Sequence, residues 1–264
     1  MQLMSIASGS SGNCIYIGSD KTHILIDAGI SGKRIEAGLN SIGISGHDID
    51  AIFVTHEHSD HINCLGVMAR RYHTPIMATK GTMKTIKSGR CGRVDDDLLH
   101  LISADVPLNI KDIVINPLRI SHDAAEPVAY RVGDGKTRIG IVTDLGIYDD
   151  YTISSMQDMD VLFLESNHDV RMLEAGNYPY FLKQRILSQH GHLSNETAGK
   201  LLCRLLHGGL KMVMLGHLSQ ENNLPELAYE TVKVELEMGK SGFRIDDFPI
   251  KIAPRSMCSA VVEV

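Results

Sequence analysis

The stretch that most constrains this chain is Thr55-His56-Glu57-His58-Ser59-Asp60-His61, which follows directly on the apolar run Ala51-Ile52-Phe53-Val54. His56, His58, Asp60 and His61 are all metal-competent, and an apolar run this short, ending in such residues, reads as a buried strand that delivers its loop to a site. His56 and His58 can turn into one pocket. Asp60 and His61, at the start of a following helix, can serve a second ion beside the first. The motif is not H-E-x-x-H, because Asp60 stands four residues after His56, so a helical zinc-protease site is excluded. Composition agrees: 13 histidines against no Trp and 5 Phe point to metal or acid/base chemistry more than to packing.

The rest of the chain supplies the frame. Three short apolar runs, LMSIA, CIYIG and HILIDAG, are separated by SGSSGN and SDKT and read as an antiparallel opening. Ile35, Leu39 and Ile42 have helical spacing, residues 62–71 read as a helix, PIMAT as a strand and 80–89 as a weaker helix. DIVINPLRI, PVAYRVG and TRIGIVTD form a strand-rich middle. Then come the strand DVLFLES, helices over 180–189 and 195–207, the strand KMVMLGH, and a helix over 224–239 with Asn223 and Glu226 at capping-box spacing. PIKIA and SAVVEV return to strands. Two runs of strands, each followed by helices, predict an αββα sandwich: two mixed β-sheets packed face to face with helices outside, as one domain over 1–264.

With 264 residues and 43% hydrophobic content the chain can bury a sizeable core, which excludes disordered and fibrous classes. Its net charge of −6 gives no general attraction for nucleic acid, so a phosphate-bearing partner must be drawn by local cations or bound metal. Cys14, Cys64, Cys91, Cys203 and Cys258 are odd in number and scattered, which predicts a reducing, cytoplasmic setting. The opening residues carry no signal-peptide pattern and no run is apolar enough to span a bilayer, so no membrane partner is expected.

H-x-H-x-D-H after a strand, with the upstream strand end Leu25-Ile26-Asp27-Ala28-Gly29, resembles the metallo-β-lactamase superfamily, whose fold is the sandwich inferred above. Ile120-Ser121-His122-Asp123, Val142-Thr143-Asp144-Leu145-Gly146 and Leu215-Gly216-His217 resemble its later motifs. The resemblance implies two divalent metal ions per chain. One would be held by His56, His58 and His122 and the other by Asp60, His61 and His217, with Asp144 between them and Asp27 fixing a loop or a ligand imidazole. This donor set of nitrogen and oxygen, without thiolate, suits Zn, Mn or Fe and does not choose among them.

Three further features resemble the YycJ/WalJ-like branch, to which 5′→3′ exodeoxyribonuclease activity is assigned: Ala7 to Cys14, the full string His56 to His61, and the pair Leu164-Glu165-Ser166-Asn167-His168 and Gly191-His192-Leu193-Ser194-Asn195. In the first, Ser10, Ser11 and Asn13 are candidate substrate contacts through close backbone approach, or members of an ordinary tight turn. Ser194 has N-cap position, so His192 can meet a phosphate near the positive end of that helix or protonate a leaving group. His168, after the strand DVLFLES, is a weaker candidate, either as a substrate contact or as a residue that supports the site from behind. Asp60 or Asp144 would orient the attacking water, with His192 as the acid. Lys80, Lys84, Lys87, Arg90 and Arg93 either line a groove for a DNA backbone or form a solvated face diluted by Asp95-Asp96-Asp97. The expected partner is DNA, with RNA or a small phosphodiester as alternatives. A small-molecule hydrolase of thioesters, lactams or cyclic phosphodiesters is the rival enzyme, and a binding protein without turnover the rival outside enzymology. The 73 positions from Asp144 to His217 leave no room for a large inserted cap, which disfavours the RNA-processing members that carry one. Oligomeric state is not legible.

Overall fold

Short β-branched and apolar runs punctuated by tight turns leave the first 26 residues little choice but an antiparallel ribbon. The computed structural model describes residues 1–239, 242–243 and 247–264. Strands β1 (Gln2–Ala7), β2 (Cys14–Gly18) and β3 (His23–Ile26) pair antiparallel, as the spacing predicts. The chain gathers into two units, one made of Met1–Arg119, Ala124–Lys136 and Pro254–Val264, the other of Ile120–Asp123 and Thr137–Ala253.

In the first unit the ribbon continues as a mixed sheet. Helix α1 (Gly32–Asn40) buries Ile35, Gly38 and Leu39 and leads to β4 (Ala51–Phe53), which pairs parallel with β3. Helices α2 (Ser59–Ile62) and α3 (Leu65–Tyr72) lead to β5 (Ile76–Ala78), and α4 (Lys80–Lys87) to β6 (Leu99–Leu101), both added in parallel. The C-terminal strand Val262–Glu263 closes the other edge against β1. The helix expected over 62–71 is therefore two pieces, broken where the Cys64 N–H leaves the helical pattern for the Ala28 carbonyl at 2.8 Å. Strands β7 (Leu108–Ile110), β8 (Ile113–Arg119) and β9 (Val128–Gly133) form an antiparallel meander. Pro117 is tolerated in β8 because β7 ends short of it, so its missing N–H interrupts no ladder. Tyr130 of β9, fully buried, packs edge-on against Phe53 and donates its hydroxyl to the Val54 carbonyl at 2.7 Å.

The second unit is a parallel sheet of β10 (Arg138–Val142), β11 (Val161–Glu165), β12 (Met212–Gly216) and β13 (Ile250–Ile252). Between strands lie α5 (Asp150–Ser155), α6 (Val170–Ala175), α7 (Tyr180–Ile186), α8 (Asn195–Leu205) and α9 (Pro225–Met238). Near-continuous apolar strands such as Val161-Leu162-Phe163-Leu164 are what a sheet covered on both faces requires. Asn223 does not cap α9: Leu224 holds that position, with Pro225 starting the helix. The Asn223 amide instead donates to the Ser166 and Asn167 carbonyls at 2.9 and 3.0 Å and exchanges hydrogen bonds with Asn195, because a buried amide must satisfy both its ends. Among the described residues, no helix is long and apolar enough to cross a membrane.

Candidate active site

Parallel strands bring their C-terminal ends to one edge, the place where α/β sheets build sites. In the first unit the register aligns Ile26 of β3 with Phe53 of β4, so Asp27 and the loop from Val54 to His58 leave the sheet side by side. In the second, Val142, Leu164 and Leu215 lie in register, which lines up Asp144, Glu165 and His217.

Within the first unit, His56 Nε2 lies 3.0 Å from His58 Nδ1, a distance at which two imidazole nitrogens must share a proton or a cation. His61 is fully buried. Its Nδ1 lies 2.7 Å from Asp27 Oδ2, and its Nε2 is 3.5 Å from Asp60 Oδ2 and 3.1 Å from the Asn13 amide. Asp27 also accepts from the Thr55 N–H and hydroxyl, each at 2.8 Å, and so ties the β3 end to the histidine loop. Asn13 is braced by its own turn, exchanging bonds with the Gly9 N–H and carbonyl at 2.9 and 3.2 Å, while Ser10 and Ser11 lie exposed at the tip. Lys87 and Arg93 of the basic stretch pair with Asp96 and Asp95, which reduces the field that stretch can present.

Within the second unit, Asp144, Glu165, His192 and His217 offer ligand atoms within 4.8 Å of one another. Asp144 Oδ1 lies 3.5 Å from His217 Nδ1, 3.7 Å from His192 Nδ1 and 3.8 Å from His122 Nε2. The His122 Nδ1 side is 3.0 Å from the Gly191 carbonyl, and burial lowers the pKa of this imidazole against the pull of Asp144. A neutral imidazole is the form that can ligate a metal. Ser194 is the N-cap of α8, its hydroxyl accepting from the Thr197 N–H at 3.2 Å.

Glu165 received no role from its sequence position, yet its carboxylate is the hub of this cluster. Oε1 accepts from His192 Nδ1 and His217 Nδ1, both at 2.8 Å, and Oε2 from the Leu145 and Leu193 N–H groups at 2.8 and 3.1 Å. Burial alone would push its pKa up, but the neighbouring His192 charge and the two imidazole hydrogen bonds hold it well below the carboxylate range. The available signal was an acid closing an otherwise apolar, fully buried strand, which cannot lie unpaired.

Asp27, Asp144 and His217 have φ of 62°, 56° and 56°. Left-handed backbone at non-glycine residues costs energy that the surrounding hydrogen bonds must offset, and it is typical of functional strand ends. These nitrogen and oxygen donors, with no thiolate among them, suit a divalent cation.

His168 is 1% exposed, and among the described residues neither of its ring nitrogens has a hydrogen-bond partner. Burial lowers its pKa from the usual 6.5 to about 4. The folded value thus lies below the unfolded one, and as pH falls from about 6.5 to 4 the unfolded chain takes up a proton that the folded chain refuses. Folding stability should drop across that window by about 3 kcal/mol from this residue. Urea unfolding of wild type and His168→Gln at both pH values checks this: the gap between them should change by that amount, and an unchanged gap would show that His168 protonates inside the fold.

The arrangement of strand-end histidines and aspartates matches a known class. The profile of the β-lactamase superfamily domain matches residues 22–217. The chain belongs to the metallo-β-lactamase superfamily, with its two mixed β-sheets and helices, and within it to the family of WalJ and YycJ. It is 40% identical to exodeoxyribonuclease WalJ of Streptococcus pneumoniae serotype 2 (strain D39) over 242 residues, 91% of this chain and 90% of that protein. To exodeoxyribonuclease YycJ of Bacillus anthracis it is 38% identical over 242 residues, 92% and 90%. The metallo-β-lactamase fold protein YhfI from Bacillus subtilis superposes with a TM-score of 0.72 at 17% identity, covering 98% of each chain, a likeness of fold.

Proposed function

We propose that this chain is a dinuclear metal-dependent 5′→3′ exodeoxyribonuclease of the cytoplasm, working as one metallohydrolase domain over 1–264. The observation that carries the reading is the pair of strand-end clusters, in a chain whose relatives are named exodeoxyribonucleases. His56, His58 and His122 would hold one ion, Asp60, His61 and His217 the other, and Asp144 would serve both. Two divalent cations, Zn or Mn with Fe as the alternative, would supply activation of water and positive charge facing the phosphate.

The chain's own residues supply the rest. Asp60 or Asp144 orients the attacking water through a carboxylate oxygen. His192, its Nδ1 anchored on Glu165 and its side chain 19% exposed, presents Nε2 to the departing oxygen as the acid, a role whose removal costs roughly 10²–10⁴-fold in rate. Asn13 holds the Asp60 and His61 side of the site, and Ser10 and Ser11 offer an exposed turn to substrate. His168, without an exposed face, supports the loop beside it. Ser194 meets substrate only through its backbone, its hydroxyl being engaged in the cap. The five cysteines are all free thiols, in keeping with a reducing compartment.

Linear DNA labelled at either end, incubated with metal-replete protein, should release mononucleotides from the 5′ end. Chelator should stop the reaction, and His58→Ala should lower it by roughly 10²-fold or more, the loss that follows from removing a metal ligand. DNA left intact by wild type, or cut equally by His58→Ala, would defeat the reading. Turnover confined to RNA, a thioester, a lactam or a cyclic phosphodiester would transfer it to one of the rivals.

A further inference from the structure

We propose that Tyr180 and Phe181 form a stacking platform for unpaired bases of a single-stranded nucleic acid whose backbone runs to the His122 and His192 side of the site. The proposal rests on the phosphodiesterase reading above for its substrate class.

Helix α7 opens on these two rings, 77% and 74% exposed, the most exposed large apolar side chains among the described residues. Other aromatic side chains, Tyr16, Phe53 and Tyr130, are fully buried. Neighbouring positions on a helix point about 100° apart, so the two rings present separate faces rather than packing on each other. A planar face kept in water suits a base, because every base offers a π-surface of the same kind.

Charge supports the same occupant. Residues 169–192 contain Arg171, Lys183 and Arg185 against Asp169 and Glu174, and Arg185 is paired with Asp123, so among the described residues Arg171 and Lys183 are the cations of this segment outside an ion pair. Cations placed near exposed rings belong to the pattern of single-strand binders.

The platform is also fastened to the site. The Ile186 carbonyl at the end of α7 accepts from the His192 N–H at 3.0 Å, and the Gly191 carbonyl lies 3.0 Å from His122 Nδ1. The Ser121 hydroxyl donates to the Gln189 carbonyl at 2.8 Å, and Arg185 pairs with Asp123. A strand stacked on α7 therefore lies on a segment that cannot move independently of the two histidines.

The probe is a fluorescent phosphorothioate oligothymidylate, single-stranded and resistant to cleavage, titrated with metal-replete protein and followed by anisotropy. The double variant Tyr180→Ala/Phe181→Ala should raise Kd at least about tenfold, the factor set by one lost base stack. The ring-keeping pair Tyr180→Phe/Phe181→Tyr should stay close to wild type, and binding of a blunt duplex should not change. The rate on bis(p-nitrophenyl) phosphate, too small to reach α7, should be equal in all three proteins and reports an intact fold and metal centre. An alanine variant that binds the oligonucleotide like wild type, a wild type that does not bind it, or a duplex affinity that falls in parallel overturns the platform. Ring-dependent binding without DNA cleavage would leave the platform standing and remove the nuclease reading; cleavage with an unchanged KM in the alanine variant would do the reverse.

Discussion

Glu165→Gln is expected to lower DNA hydrolysis by about 10–100-fold and to cost about 3 kcal/mol of stability. The carboxylate is fully buried and acceptor-only, and it serves four donors: the Leu145 and Leu193 N–H groups and the Nδ1 sides of His192 and His217. Glutamine places an NH₂ where one oxygen was, so a buried donor must face another donor whichever way the amide turns. If the amide nitrogen faces the imidazoles, His192 and His217 lose the acceptor that holds their Nδ1 protons and orients their rings. If it faces the backbone, the loops after β10 and before α8 lose their shared anchor. Activity on the best DNA substrate, metal content after gel filtration and urea unfolding check this together. Stability lost with full activity would reduce Glu165 to packing, and neither effect would show that its hydrogen bonds are replaceable by water.

Gly29→Ala should be the most damaging small substitution in the first unit. A Cβ at this position would lie 1.6 Å from the Asp60 carbonyl oxygen and 2.2 Å from its carbon, both backbone atoms that cannot rotate away. Around it three loops are laced by the Asn13 N–H to Asp60, Ala28 N–H to His61 and Gly29 N–H to Asn13 bonds, each 2.8 Å. Making room means breaking some of these, at about 1 kcal/mol each plus the strain, for a total of roughly 3 kcal/mol or more. The Asp60 and His61 side chains move with their backbone, so metal retention should fall as well. Gly43→Ala is the control: φ is +75°, but nothing lies within 4 Å, so the cost should be about 1 kcal/mol with the metal content intact. Thermal melts and metal analysis of both variants decide it, and equal losses would show that the neighbouring loops yield and the close approach at Gly29 adds no cost.

Much of the scaffold was legible because its signals are local. Apolar runs of strand length, the small-residue turns, and Ser194 at the start of α8 each sit within a few residues of what they specify. Where the reading slipped, a distant partner intervened. Asn223 has cap spacing, but Asn195 and the Ser166 carbonyl claim its amide; the helix after His61 breaks because Ala28 takes the Cys64 N–H. Helices α5 and α6 have no counterpart in the sequence reading: each is under two turns long and capped by an aspartate, with too few residues to show a period.

The candidate site divides the same way. His56 to His61, and the motif residues His122, Asp144 and His217, are donors whose chemistry and strand-end positions can be read from the chain alone. Sequence by itself therefore determined the superfamily, the donor types and the order in which strands deliver them. Only the tertiary structure decided which groups stand behind the donors. Asp27 meets His61 from 34 positions away, Asn13 from 48, and Glu165 joins His192 to His217 across 27 and 52. The physical reason is that a donor's chemistry belongs to its own side chain, whereas hydrogen-bond direction and burial are set by strand register and by how closely the loops approach.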